Sequence, residues 1–429
     1  MKKSNSLRIE RISHEGRGIA KQNGKTVFIE NALPKETVKV TLLRSHKHYD
    51  EAIATQISND NENRITAACP HILQCGGCNL QHLNTSNQLK IKQKALQELL
   101  TANGITPLHW LDPITSESWN YRHRAKLTVK HKRDGSVSFG YLDKTGAELI
   151  NIERCPILAC EIDRIIPPLR IVLSKLKSTN TTHVDFNESE DRVTLIWATR
   201  GGLHPQDVSL IQGFSDEYQT TVIIKDGGTR THVISALPFS HLKYALPHQT
   251  IDMHYQPEHF TQVNRAINEK MIDRALELLE PKKTDRVLDL FCGIGNLTLP
   301  FAKHVEHIIG IDGCRSSIKQ AGKNATNNHI ENAEFVTDNL FKPSKNTRHL
   351  EAAYDVVLLD PPRAGAKTVL THIKDWSAEK ILYISCKPST LARDLKQCHE
   401  HGYAVTNIGL LDMFPQTQHV ETMAILTKR

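Results

Sequence analysis

Apolar and polar positions change their period several times along the chain. Up to about residue 60 they alternate in short runs, Leu7 to Ser13, Lys25 to Ile29, Thr37 to Leu43 and Ala52 to Ile57, separated by Gly16, Gly18, Gly24 and Pro34. Alternation bounded by turn formers predicts strands. A sheet this short must cover its edges, so a small, partly closed OB-like β-barrel is expected over 1–60. After a cysteine-rich turn at 69–78, Thr85 and Gln88 fit a capping box. Leu89, Leu96, Leu99 and Leu100 then recur at helical spacing until Gly104, which predicts a helix over 86–102.

From Tyr121 the strand pattern returns: Lys126 to His131, an Asp134-Gly135 turn, Val137 to Leu142, His183 to Phe186 and Arg192 to Ala198. These place a central β-rich domain within 61–259. A helical stripe of Val263, Ile267, Met271 and Leu278 then ends at Glu280-Pro281. Beyond it, strand-like runs at Val287 to Leu290, Ile308 to Ile311, Ala333 to Val336, Val356 to Leu359 and Ile381 to Ser385 alternate with helical segments. That alternation predicts a doubly wound, mostly parallel α/β sheet over 260–429.

Composition narrows the partners. The chain has 429 residues and 54 Lys+Arg against 47 Asp+Glu, a net +7, which permits a polyanion. Residues 1–64 hold 12 of those basic residues against 8 acidic ones, so the barrel is locally basic. Between 121 and 145, Arg122, Arg124, Lys126, Lys130, Lys132, Arg133 and Lys144 face only Asp134 and Asp143, with Tyr121, Phe139 and Tyr141 interleaved. Phosphate contacts beside stacking rings suit single-stranded RNA, and Arg122, Arg124 and Lys126 are candidate contacts; the alternative is an antiparallel sheet with one wet face. No apolar run approaches the roughly 20 residues of a membrane span. The Met1-Lys2-Lys3 start lacks the apolar segment of a signal peptide, so a cytoplasmic location is expected. Nothing in the pattern calls for an obligate protein partner. The nine cysteines are therefore read as thiols, metal ligands or nucleophiles before disulfides.

Several segments carry chemistry. Val287-Leu-Asp-Leu-Phe-Cys-Gly-Ile-Gly-Asn-Leu297 puts Gly293 and Gly295 between a buried strand and a helix, where a ligand can approach main-chain N–H groups. A dinucleotide site wants a third glycine at position 298, which is Thr. Asp312, Asp338 and Asp360 close the next strands, and three strand-end carboxylates suit an adenosine bearing a sulfonium, that is S-adenosyl-L-methionine. Asp360-Pro-Pro-Arg363 is similar to the Asp-Pro-Pro-Tyr loop of enzymes that methylate exocyclic amines, but Arg363 cannot stack on a base; Phe260 could supply that ring.

Cys386 ends a buried strand before a Pro-led helix, with Lys387 beside it, a setting expected to lower its pKa. A thiolate adding to carbon 6 of uracil makes carbon 5 nucleophilic, and a base must then remove the carbon 5 proton. Glu421, beginning an apolar strand, is the candidate base, since partial burial raises a carboxyl pKa. A buried structural thiol is the alternative for Cys386. Cys69, Cys75 and Cys78 form C-x5-C-G-G-C, with Cys155 the leading fourth ligand and Cys160 its competitor. Four thiolates serve zinc or an iron–sulfur cluster, and the spacing alone does not choose.

Together these segments resemble bacterial RNA uracil-5-methyltransferases over nearly the whole chain. The resemblance rests on His14-Glu-Gly-Arg-Gly-Ile-Ala20, C-x5-C-G-G-C-x2-Q-H ending at His82, Phe260-Thr-Gln-Val-Asn264, Asp289-Leu-Phe-Cys-Gly-Ile-Gly-Asn296, Asp360-Pro-Pro-Arg, Ser385-Cys386 and Glu421. It implies a Rossmann-like class I methyltransferase domain, an N-terminal TRAM barrel that binds RNA and a central iron–sulfur domain. It also implies that the 86–102 helix packs on the C-terminal domain. A barrel together with four cysteines is most like the members that methylate uridine 1939 of 23S rRNA, tRNA-directed relatives being expected to lack both. By the same resemblance, Cys69, Cys75, Cys78 and Cys155 hold a [4Fe-4S] cluster and Gln262, Phe291, Asp312 and Asp360 contact the cofactor. Cys386 is then the nucleophile and Glu421 the base. Asp312 stands where relatives often have Glu, and Lys387 where Asn is usual. The competing classes are the same chemistry on another rRNA or tRNA uridine, an iron–sulfur redox enzyme, and a non-catalytic RNA-binding protein.

Overall fold

The computed structural model describes residues 6–13, 15–59, 61–190, 192–227, 230–234, 242–344 and 348–429. His14 of the barrel motif and the first five residues of the barrel range lie outside the described residues. The chain divides into two compact units, Met1–Ala95 with Glu117–Ser240 and Phe414–Gln418, and Leu96–Ser116 with His241–Met413 and His419–Arg429. Among the described residues no helix is long and apolar enough to cross a membrane.

The first unit opens with a six-stranded sheet in the order Ser6–Arg8, Thr37–Ser45, Tyr49–Ser58, Lys25–Glu30, Gly18–Gln22, Arg11–Ile12. Residues 6–12 pair first with Thr37–Ser45 and then with Gly18–Gln22, so one segment closes the sheet on itself. Leu7, Ile9, Ala20, Val27, Ile29 and Val38 fill the interior. The Gly18–Gln22 strand is additional to those predicted; its glycine content hid it.

Glu36 ties this barrel to the chain that follows. Its side chain is fully buried and accepts from Leu33 N at 2.7 Å, Asn61 N at 3.1 Å, Arg64 Nε at 2.6 Å and Arg64 Nη2 at 2.7 Å. Burial disfavours the ionised carboxyl, but the hydrogen bonds from Arg64, Leu33 and Asn61 outweigh it and hold the group below its usual range.

The second sheet of this unit runs Leu149–Asn151, Val137–Leu142, Arg124–His131, Thr181–Glu188, Val193–Thr199, Thr221–Asp226, Arg230–Ile234. Two helices pack on it, Cys160–Lys175 and Pro205–Tyr218, which the β-rich reading did not predict. Pro167 and Pro168 sit inside the first and argue against a helix locally. Burial wins: Ile162, Ile165, Ile166, Leu169 and Leu173 form one stripe with no exposure. Tyr121 and Phe139 are also core residues, at 4% and 0% exposure, so they cannot stack on bases as the sequence reading expected.

The helix predicted over 86–102 spans Thr85–Ala102. Its N-cap is Asn84, whose Oδ1 accepts from Asn87 N at 3.0 Å, so Thr85 is not the cap. Gln88 turns inward instead, donating to Leu80 O, Leu83 O and Gln416 Oε1. Leu96 and Leu100 enter the core of the second unit.

That unit is built on an eight-stranded sheet in the order Ala333–Thr337, His307–Asp312, Arg286–Leu290, Val356–Leu359, Lys380–Ser385, Glu421–Lys428, Tyr403–Leu411, His109–Trp110. The first five strands are parallel, as their near-continuous apolar runs require. Glu421–Lys428 is antiparallel to both of its neighbours, and the Tyr403–Leu411 strand was not predicted.

Replacing Arg64 by Ala leaves a buried carboxylate without its cation, which costs about 3 to 5 kcal/mol for a buried pair. Chemical denaturation of R64A should show that loss at neutral pH. Because the folded-state pKa of Glu36 lies below 4.5, the pair's contribution is complete above about pH 4.5 and is lost as pH falls through the folded value. The difference between wild type and variant should therefore shrink on acidification, and an unchanged difference at low pH contradicts this reading.

Candidate active site and cysteine-lined cavity

In a doubly wound sheet, ligands bind beyond the carboxyl ends of the strands where the strand order reverses. Here that edge carries Phe291 after Arg286–Leu290, Asp312 ending His307–Asp312, Asp338 after Ala333–Thr337, Asp360 after Val356–Leu359 and Cys386 after Lys380–Ser385. Glu421 reaches the same edge because its strand runs the other way. Ser385 pairs with Thr422, so the residue after one strand lies beside the first residue of the next.

The glycine turn is held open by backbone conformation. Gly293 has φ +57° and a Cβ there would meet no protein atom within 4 Å, so the turn presents bare main chain to its surroundings. Phe291 itself lies at φ +66°, a conformation costing a bulky residue about 1 to 2 kcal/mol. It is kept there by Phe291 N to Ile311 O at 2.8 Å and by packing on Phe341, with ring centroids 5.7 Å apart. Beyond the turn, Asn296 and Asn268 exchange reciprocal amide bonds at 2.8 and 2.9 Å, and Tyr244 donates its hydroxyl to Asn296. Asn324 Nδ2 holds Ile294 O at 3.2 Å. These asparagines are supports that the sequence reading missed. Only Asn296 stood within a motif, and nothing local marks the others.

Asp312 accepts from Gly293 N at 3.1 Å and from Cys314 N at 2.7 Å, one bond per oxygen, which leaves acceptor capacity on both. Asp338 spends its oxygens on Asn339 N and Ser344 N and so shapes the loop at 338–344. Asp289 has no exposure; one oxygen accepts from Thr298 Oγ1 at 2.5 Å and the other has no partner among the described residues. Burial drives its pKa up to about 8, with Asp360 and Asp312 adding to the effect. Burial likewise raises Asp360 to about 7 and, with help from Asp360, Glu421 to about 8.

Cys386 meets a different environment from the one its sequence predicts. Burial comes first among the influences that push its thiol up to about 11, and the charges of Glu421 and Asp360 add to it; Arg363 opposes them. The expectation that Lys387 and the helix N-terminus lower this pKa is therefore corrected: two carboxyls and loss of water dominate. The Pro388–Glu400 helix behind Cys386 clamps the Asp360 loop. Asp394 Oδ2 accepts from Ala366 N at 2.7 Å and Tyr383 OH at 2.6 Å, and Arg393 donates to Ala364 O at 2.9 Å. Cys386, Glu421 and Asp360 are thus one electrostatic cluster. Gln262 and Phe260 lie in the segment before the Arg265–Leu279 helix, with Phe260 71% exposed, and no described contact joins either to Cys386.

In the first unit, Cys69, Cys75, Cys78 and Cys155 line a single cavity of about 150 Å³ together with His71, Gln81, Arg122 and Tyr141. Cys160 is exposed at a helix start and takes no part. Among the described residues no three His, Cys, Asp or Glu side chains converge closely enough to hold a single metal ion. The sulfurs surround a space instead. Burial raises all four thiol pKa values, Cys78 to about 11, and neighbouring cysteines add to the rise at Cys69, Cys78 and Cys155.

The wall of this cavity is set by close contacts. Gly76 must be glycine because a Cβ would sit 2.9 Å from Asp143 O. Gln81 accepts from Cys69 N at 3.0 Å while its amide reaches the Cys78 sulfur. Asp163 accepts from Cys155 N at 2.6 Å. Arg122 faces this cavity and donates to Arg124 O, whereas Lys126 is exposed on the sheet.

The family model for tRNA (Uracil-5-)-methyltransferase matches residues 84–429, and that for the TRAM domain matches residues 6–55. A 23S rRNA (uracil(1939)-C(5))-methyltransferase RlmD of Legionella pneumophila (strain Lens) is 38% identical over 99% of this chain and 97% of its own. The RlmD of Shewanella frigidimarina is 35% identical over 98% and 95%. The crystal structure of Pyrococcus abyssi tRNA (uracil-54, C5)-methyltransferase in complex with S-adenosyl-L-homocysteine superposes with a TM-score of 0.75 at 22% identity, covering 99% of this chain and 100% of that one. That coverage takes in the barrel, so the expectation that tRNA-directed relatives lack it is corrected: the architecture does not distinguish the two RNA classes. With a match over most of its length and full-length relatives above 30% identity, the chain belongs to the RNA (uracil-5-)-methyltransferase family.

Proposed function

We propose that the protein transfers a methyl group from S-adenosyl-L-methionine to carbon 5 of a uridine in 23S rRNA, uridine 1939 by the names of its relatives. The observation that carries the mechanism is the placement of Cys386, Glu421 and Asp360 at one strand edge beside the glycine turn. Gly293 and Gly295 present the main chain to the cofactor, Asp312 takes the ribose hydroxyls, and Gln262, Phe291, Asp338 and Asp360 complete its surroundings. The cofactor supplies a methyl group on a cationic sulfur.

Cys386, having released its thiol proton to solvent, adds as a thiolate to carbon 6 of the uridine and pushes the ring electrons toward carbon 5, which takes the methyl group as its bond to the sulfonium sulfur breaks, leaving S-adenosylhomocysteine. Glu421 then removes the carbon 5 proton; the electron pair of that C–H bond re-forms the ring double bond and expels the Cys386 thiolate. In the free enzyme burial, Glu421 and Asp360 oppose the thiolate, whereas Arg363 and a nearby sulfonium favour it. A cationic cofactor beside Cys386 would therefore favour its thiolate.

The barrel and the sheet face bearing Lys126 grip RNA, with Arg124 and Arg122 at its margin and Phe260 near the target base. Residues 1–60 serve binding, 61–259 the cysteine site and 260–429 catalysis, and a cytoplasmic location fits an rRNA substrate. Cys69, Cys75, Cys78 and Cys155 hold a [4Fe-4S] cluster. Four thiols lining one cavity fit either a zinc ion or a cluster; the family resemblance favours the cluster, and metal would replace the protons that burial keeps on the sulfurs. The cluster's proposed role is structural or RNA-positioning.

Loss of the gene should remove 5-methyluridine from 23S rRNA position 1939, and the wild-type gene but not C386A should restore it. Loss at a tRNA uridine instead would support the same chemistry on another RNA. In vitro, E421Q should stop after methyl transfer and leave methylated RNA joined to protein as a slow band on a denaturing gel.

Since Asp289, Asp360 and Glu421 retain protons near neutral pH, binding a cation beside them should release protons. Calorimetry near pH 7.5 in buffers of different ionisation enthalpy should show this release with S-adenosylmethionine and less of it with S-adenosylhomocysteine, which lacks the sulfonium charge. Equal release by both contradicts the electrostatic account.

Protein purified without oxygen should contain iron and acid-labile sulfide in equal amounts, and C155A should lose them. Zinc without iron contradicts the cluster assignment.

A further inference from the structure

Recognition of single-stranded RNA calls for exposed rings on which bases stack. The rings of the basic 121–145 segment serve other ends: Tyr121 and Phe139 are buried and Tyr141 lines the cysteine cavity. The barrel provides such rings at the tip of the hairpin between Thr37–Ser45 and Tyr49–Ser58. Phe28 and Tyr49 meet edge to face with centroids 5.6 Å apart and an interplanar angle of 82°. Tyr49 and His46 are stacked at 4.3 Å and 20°. Arg17 lies over the Phe28 ring at 4.9 Å. The result is a column of three rings whose outer member, His46, keeps 39% of its side chain exposed.

The tip is rigid. His46 N donates to Tyr49 O at 2.9 Å, Ser45 Oγ donates to Asp50 Oδ1 at 2.7 Å, and Lys25 Nζ holds the same oxygen at 2.6 Å. Glu51 lies 3.6 Å from His46 Nε2 and 3.0 Å from Arg17 Nη1, which orients both ends of the column. Arg44, Ser45, His46, Lys47 and His48 are all exposed and none is acidic, although Glu51 faces His46 and Arg44 also donates to Thr145 O. A ring needed only to fill the hairpin would be covered, as Phe139 is in the neighbouring sheet. This one ends a stack and is flanked by cations.

We propose that the 44–49 hairpin tip is a base-stacking site for single-stranded RNA. One unpaired base lies on the exposed face of His46 as the next rung above Tyr49 and Phe28, while Arg44 and Lys47 take the adjoining phosphates. The site rests on the RNA-substrate reading above and deepens it: the barrel grips the RNA strand by one stacked base as well as by charge. Rings already stacked on one another lose little freedom when a base joins them, so the binding cost is reduced.

The two contributions separate by salt. Loss of a phosphate contact lowers the slope of log affinity against log salt by roughly 0.7, whereas loss of stacking weakens binding without altering the slope. The probe is a single-stranded RNA oligomer carrying one 2-aminopurine, titrated with the full-length protein. H46A should bind roughly fivefold or more weaker at unchanged slope. H46W should bind at least as tightly as wild type, and K47A should lower the slope. The 2-aminopurine fluorescence should be quenched by wild type and H46W and released in H46A.

If H46A keeps wild-type affinity and quenching, or if its loss appears wholly as a change of slope that H46W does not repair, the stacking site is overturned. RNA binding that ignores residue 46 defeats this inference alone. Absence of RNA binding by the wild type defeats the underlying reading together with it.

Discussion

The active-site arrangement depends on one antiparallel strand in an otherwise parallel run. Parallel strands deliver only the residues that follow them to the carboxyl edge, as they deliver Asp360 and Cys386. A residue that begins a strand arrives there only if that strand runs backward, as Glu421–Lys428 does. The pairing of Ser385 with Thr422 fixes the spacing between a thiol and a carboxyl 35 positions apart in the chain (421 − 386). A shift of one residue would turn Glu421 to the opposite face of the sheet, since side chains alternate with period two.

Burial at that edge has opposite consequences for the two groups. It raises the carboxyls of Asp289, Asp360 and Glu421 into a range where they exchange protons near neutral pH. It also raises the thiol of Cys386, which alone makes a poor nucleophile. A cationic cofactor reconciles them, because one positive charge stabilises every anion in the cluster. The cysteine-lined cavity lies in the other unit and obeys the same rule: buried thiols stay protonated until something positive replaces the protons.

The sequence revealed most of what depends on period and strand ends. The five parallel strands, the glycine turn and the carboxylates after each strand follow from apolar runs and their termini, and the structure puts them on one edge. Long-range burial was not legible. Pro167 and Pro168 concealed a helix that five buried aliphatic residues stabilise, and the sign of the Cys386 shift depended on Glu421, far along the chain. Tyr121 and Phe139 looked like stacking rings because charge surrounded them in sequence, whereas both belong to the hydrophobic core of the central sheet. The exposed His46 column was overlooked because its members come from two different strands and the tip between.

The central claim is that Cys386 is joined covalently to the substrate base, and a 5-fluorouridine RNA tests it most directly. Fluorine at carbon 5 cannot leave as a cation, so an enzyme that methylates through a carbon 6 adduct remains attached to it. Digestion and mass spectrometry should find the methylated fluorouridine on the peptide containing Cys386, dependent on S-adenosylmethionine and on Glu421 being intact only for turnover of natural RNA. Attachment to any other residue, or full turnover of natural RNA by C386A, would contradict the account.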